Sequence, residues 1–137
     1  MQEREKKKIV IASVLKPVDE TRMFSKLGAS LVNDTCEVSI IGFAPAKKQS
    51  PTNAPISLYP MGPFPRLSLQ RLLAPFRIFL QCLRLRPSVL IVTSHELLVG
   101  AVLLRALVGT KIVYDVRENY YLNLLHTNAF PVLVRCR

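Results

Sequence analysis

Two runs along the chain, Ile9 to Val14 and Val89 to Thr93, are short, apolar and rich in β-branched residues, with no polar alternation. That pattern predicts strands covered on both faces, as in a parallel sheet. Cys36 to Gly42, with Val38, Ile40 and Ile41, and Lys111 to Asp115 read as two more strands. Between the first strand and Cys36, Met23, Phe24, Leu27 and Leu31 recur at helical spacing as far as Asn33, with Asp19 placed to cap the helix. Strand, helix and strand in close succession make a crossover unit.

Residues 44–65 contain Pro45, Pro51, Pro55, Pro60, Pro63 and Pro65, so most of this stretch is expected to be loop, with a short strand at Ile56 to Tyr59. Leu69, Leu72, Leu73, Phe76, Phe79, Leu80 and Leu83 then follow a helical period that ends near Arg86, before Pro87. Pro75 lies inside that helix and is expected either to kink it or to mark its first turn. Ser94 is placed to cap a nearly all-apolar helix from Leu97 to Val108, closed by Gly109. Strands alternating with helices over short connections predict an α/β fold: a Rossmann-like open parallel sheet with helices on both faces. After Asp115 no sixth strand is discernible, so residues 1–137 read as one domain that is incomplete.

The length of 137 residues allows a single core. Half of the residues are hydrophobic, and the mean hydropathy of +0.26 excludes wholesale disorder. Cys36, Cys82 and Cys136 stand alone, which predicts neither a disulfide framework nor a zinc knuckle and points to a reducing, cytoplasmic setting. The apolar run behind the charged N-terminus stops at Lys16, too short for a secretory signal. The longest apolar stretch, Leu97 to Leu104, falls far short of the roughly twenty residues needed to cross a bilayer.

In sheets of this kind ligands bind beyond the carboxyl ends of the strands, where strand order reverses. The turns expected there are polar: Asp19, Glu20, Thr21 and Arg22; Ser94, His95 and Glu96; Asp115, Arg117, Glu118 and Asn119. Arg22 falls in a first helical turn, where the helix dipole disfavours a cation, so it either pairs with Asp19 or grips an anionic ligand. His95, between a buried strand and a buried helix, is the candidate for ligand contact or proton transfer, whereas Glu96 suits a helix N-terminus on electrostatic grounds alone. The glycines stand at 28, 42, 62, 100 and 109, so neither a dinucleotide fingerprint nor a phosphate loop is present and no cofactor is expected. His95 and Glu96 do not extend to HExxH, His126 is the only other histidine, and no metal site is expected. No GxSxG elbow occurs.

The formal charge of +10 favours anionic partners, and it is concentrated. Between Glu37 and Glu96 lie Lys47, Lys48, Arg66, Arg71, Arg77, Arg84 and Arg86, and no acid. On the predicted helix Arg66, Arg77 and Arg84 share one flank of the apolar stripe. Two readings fit: the stripe is core and the arginines are its solvated border, or the helix is a basic amphipathic surface element that meets anionic lipid headgroups. Nucleic-acid binding is not expected, because no basic motif interleaved with aromatics is present.

Ser13-Val14-Leu15-Lys16-Pro17-Val18-Asp19-Glu20-Thr21-Arg22-Met23, then Ile40-Ile41-Gly42-Phe43, then Tyr114-Asp115-Val116-Arg117-Glu118-Asn119 give the chain a family likeness. From about Lys7 to Tyr121 it resembles the N-terminal domain of bacterial family 4-like GT-B glycosyltransferases. The resemblance implies a retaining sugar transferase of two Rossmann-like domains, the first gripping a glycan or lipid-linked acceptor and the second most of the nucleotide sugar. It places Asp19, Thr21, Arg22, His95, Glu96, Asp115, Arg117, Glu118 and Asn119 toward the acceptor and the transferred sugar. Where members commonly place a histidine after the fifth strand this chain has Arg117, a residue suited to holding a phosphate. The second domain is missing from these 137 residues, so the chain is expected to be an N-terminal fragment that is inactive alone and meets a nucleotide sugar only if that domain is supplied. Two rivals remain: a non-catalytic module docking through its basic helix on anionic membrane or a partner protein, and a small flavodoxin-like or receiver-like regulator. Ser13 to Pro17 carries no carboxylate, which counts against the second rival.

Overall fold

A computed structural model describes residues 6–44, 55–62 and 68–116. Five strands form one sheet in the order β3-β2-β1-β4-β5: β1 (Lys7–Pro17), β2 (Cys36–Phe43), β3 (Ile56–Met61), β4 (Val89–Val92) and β5 (Lys111–Tyr114). Every pairing is parallel, with Ile11 of β1 opposite Ile40 on one side and Ile91 on the other. The chain winds outward from β1 through β2 to β3, then returns to the other side of β1 for β4 and β5. The reversal of strand order therefore lies between β1 and β4.

Neither face of the central strands is polar because both are covered. Val10, Ala12 and Val14 of β1, with Leu90 and Val92 of β4, pack against α2 (Leu69–Leu85) and α3 (Leu98–Val108). Ile9, Ile11, Val38, Ile40 and Ile91 point the opposite way, toward Met23 and Phe24 of α1. Here α1 is one helical segment, a wide π-type stretch Arg22–Gly28 running into a single α turn Ala29–Leu31. Pro60 falls on β3, an edge strand, where sheets tolerate proline.

Several local expectations change. The carboxylate that meets the first turn of α1 is Glu20 rather than Asp19: its Oε2 accepts from the Met23 amide at 3.0 Å, while its carbonyl accepts from the Phe24 amide at 2.8 Å. Pro75 neither ends nor begins α2, which runs through it from the Ser68 cap, whose Oγ accepts from the Arg71 amide at 3.3 Å. Gly109 does close α3, at φ 77°, donating its amide to the Arg105 carbonyl.

The largest change concerns the facing of α2. Its inward residues are Ala74, Ile78 and Cys82, while Leu69, Leu72, Leu73, Phe76 and Leu80 lie on the outer side in contact with solvent. The stripe read as core is thus divided: Phe79 and Leu83 pack against the buried cluster, while its other five members face solvent. Ala74, Ile78 and Cys82 lie fully against the sheet, with Phe79, Leu83 and Leu85 packed at their border, and the remaining leucines and Phe76 point away.

Burial gives Cys82 its own chemistry. Loss of hydration pushes its thiol up from 9.0 to about 12. Folded protein treated with an alkylating reagent at mildly alkaline pH should leave Cys82 unmodified while the half-buried Cys36 reacts, as peptide mass mapping would show. Between pH 9.0 and about 12 the unfolded chain releases a proton that the folded chain keeps, so this group makes stability fall as pH rises across that window. Cys82→Ala should flatten that part of the stability profile.

Candidate functional site

The carboxyl ends of β1, β4 and β5 lie side by side and carry polar groups where the strands stop. Thr93 donates its amide to the Ala12 carbonyl at 3.1 Å, and Asp115 donates its amide to the Val92 carbonyl at 2.9 Å, so Asp115 follows the ladder just beyond the last pair of β4 and β5. Two buried serines line the reversal between β1 and β4. Ser13 Oγ and Ser94 Oγ are 3.3 Å apart, Ser94 Oγ accepts from the Val14 amide at 3.2 Å, and Ser13 Oγ accepts from the Lys16 amide at 3.2 Å.

Ser94 is thus not a side-chain helix cap. Its hydroxyl crosses to β1, and a short 3-10 turn, His95–Leu97, leads into α3 with the Leu97 amide donating to the Ser94 carbonyl at 3.1 Å. Ser13 was missed as a site residue in the sequence. Its one signal was a hydroxyl inside an otherwise apolar strand, at the end where that strand leaves the sheet.

Arg22 and Asp115 meet across the reversal. The guanidinium Nη2 donates to Asp115 Oδ1 at 2.6 Å, joining α1 to the end of β5 over 93 positions of sequence. The partner expected within the turn, Asp19, is replaced by a carboxylate brought in by strand order. Asp115 is 16% exposed and Arg22 48%, so the carboxylate is the sheltered half and the guanidinium keeps solvent-facing donors. Asp19 and Thr21 belong to the turn that delivers Arg22, and Glu20 holds that turn through the Met23 amide.

His95 is exposed on the 3-10 turn, beside the β1–β4 reversal. Glu96 faces α2, with Oε1 3.6 Å from Arg71 Nη2, so Arg71 is committed to the rim and is not part of an outward basic flank. Arg77, Arg84 and Arg86 are exposed, Arg86 at the left-handed end of α2 with φ 47°. Arg66, Arg117, Glu118 and Asn119 lie outside the described residues.

A concavity of about 430 Å³ runs between α2 and the edge strand β3, with Leu58, Tyr59 and Met61 on one side and Arg77, Leu80 and Arg84 on the other. Among the described residues no cluster of His, Cys, Asp and Glu could hold a metal ion, and no helix is long and apolar enough to cross a membrane. The rim therefore offers charge pairing and hydrogen bonding: a guanidinium, a sheltered carboxylate, an imidazole and hydroxyls along one sheet edge. Comparison with protein-family models, with curated proteins and with solved structures finds no match to the chain.

Proposed function

We propose that this chain is the acceptor-side domain of a retaining glycosyltransferase of the GT-B type. The observation that carries the reading is the Arg22–Asp115 pair, which bridges the strand-order reversal at the carboxyl edge of the sheet, where open parallel sheets take their ligands. A sugar hydroxyl needs both an acceptor and a donor of hydrogen bonds, and the Asp115 carboxylate and Arg22 guanidinium supply one of each. The guanidinium also suits the phosphate of a lipid-linked acceptor. His95 stands exposed on the adjoining turn, with an imidazole able to hydrogen-bond a ligand at the rim. The nucleotide-sugar donor is left to a second domain, as the resemblance of the sequence implies.

Nuclear magnetic resonance titration tests this directly. Glycan and polyprenyl-phosphate acceptors are expected to shift the backbone amides of residues 19–22, 94–96 and 115, while nucleotide sugars leave them unmoved. Shifts caused by nucleotide sugar rather than by acceptor would refute the assignment.

A further inference from the structure

The outer surface of the α2–α3 layer is apolar where a solvated helical layer is ordinarily polar. On α2, Leu69 and Leu72 are 78% and 77% exposed, and Leu73, Phe76 and Leu80 continue the same row. On α3, Val99, Val102, Leu103 and Leu107 are exposed. The two helices lie against each other at Gly100, where a Cβ would stand 3.5 Å from Phe79, so the two rows form one broad face. Exposed apolar area of this continuity marks an interaction surface.

The border of that face decides what it meets. Neither α2 nor α3 contains an acidic residue. Arg77 and Arg84 sit on the flank of α2 that borders the concavity with β3, seven residues and about 10 Å apart along the helix. Arg105 is exposed on α3. Glu96 is occupied with Arg71 on the rim side. A second copy of the chain docked face to face would set these arginines against their equivalents with no carboxylate between them. A partner with an apolar interior and a negative surface satisfies both features at once.

We infer that the α2–α3 outer face docks on an anionic lipid surface, with the leucine rows in the acyl boundary and Arg77 and Arg84 among the headgroup phosphates. Arg71 ties the N-terminal end of α2 to Glu96, so the end of the face bearing Leu69, Leu72 and Leu73 adjoins the rim at Ser94 to Glu96. Docking is independent of what the rim binds, and a vesicle assay reads it with no sugar present.

The full chain is mixed with vesicles of phosphatidylcholine alone or with phosphatidylglycerol added, and bound protein is measured by flotation at low and high salt. Binding is expected to need phosphatidylglycerol and to weaken as salt rises. Arg77→Gln with Arg84→Gln should lower the partition coefficient about tenfold or more, each cation near such a surface contributing a similar share. Leu72→Glu with Phe76→Glu replaces exposed side chains, so its circular dichroism and melting should match the parent while vesicle binding is lost. No binding to either vesicle, or binding that both variants leave intact, would overturn the inference. So would concentration-dependent dimerisation abolished by Leu72→Glu and Phe76→Glu in a protein that ignores vesicles, since the face would then meet a second copy.

Discussion

Gly42→Ala should destabilise the domain by about 2 to 3 kcal/mol, although it adds one methyl group. A Cβ at residue 42 would lie 2.7 Å from the Lys16 carbonyl oxygen and 3.3 Å from the Val18 amide nitrogen. Both obstacles are backbone, so no side-chain rotation relieves them. They belong to the point where β1 loses register against β2, between Ala12 and Pro17, before Val18 donates its amide to the Phe43 carbonyl at 3.0 Å. Relief requires β1 to move away from β2, and the turn that carries Asp19 to Arg22 hangs from that junction. The gain from restricting the unfolded chain, about 0.4 to 1 kcal/mol, offsets only part of the loss. Gly62→Ala is the control, because a Cβ there meets nothing within 4 Å and the substitution should be neutral or mildly stabilising. Urea unfolding of the two variants checks the contrast. Equal midpoints would show that β1 yields at no cost and that the close approach does not hold the rim.

The sheet was legible because its cause is local. Val10, Ile11, Leu90, Ile91 and Val92 lie in runs with no polar break, the pattern of strands covered on both faces. Gly109 was legible for the same reason, a helix stop written in one residue. The facing of α2 was not. Periodicity shows that Leu69, Leu72, Leu73, Phe76 and Leu80 share a side, but which side meets the sheet depends on the space left above Val10, Ala12 and Val14. Ala74, Ile78 and Cys82 are the residues buried there, with Phe79 and Leu83 at their edge, and such a row is a weaker signal than a row of leucines. The rim turns were legible as polar corners, yet their internal pairings were not. Arg22 and Asp115 become neighbours only because the strand order sets β1 and β4 between their elements, and Ser94 finds Ser13 by the same route. Helix-cap rules weigh partners a few residues away, so they assigned Ser94 and Asp19 to local duties that a hydroxyl across the reversal and the Glu20 carboxylate displace.

Arg22→Gln and Asp115→Asn should separate binding from stability at that reversal. With Arg22 nearly half exposed, the ion pair contributes less than about 1 kcal/mol to folding, and either variant should unfold close to the parent in urea. Binding should respond far more. A charge-assisted hydrogen bond to a phosphate-bearing acceptor is worth about 1.5 to 3 kcal/mol, so Arg22→Gln should weaken that acceptor by roughly tenfold to a hundredfold in calorimetric titration. Asp115→Asn should act in opposite directions on two ligand classes. It frees the guanidinium from its 2.6 Å partner and removes a negative charge from the rim, so an anionic acceptor should bind more tightly. A neutral glycan instead loses the carboxylate that accepts its hydroxyl protons and should bind more weakly. A purely structural pair would show the reverse pattern, with both variants less stable and the two ligands shifted together. That result would remove Arg22 and Asp115 from the acceptor site, and with them the observation on which the glycosyltransferase reading stands.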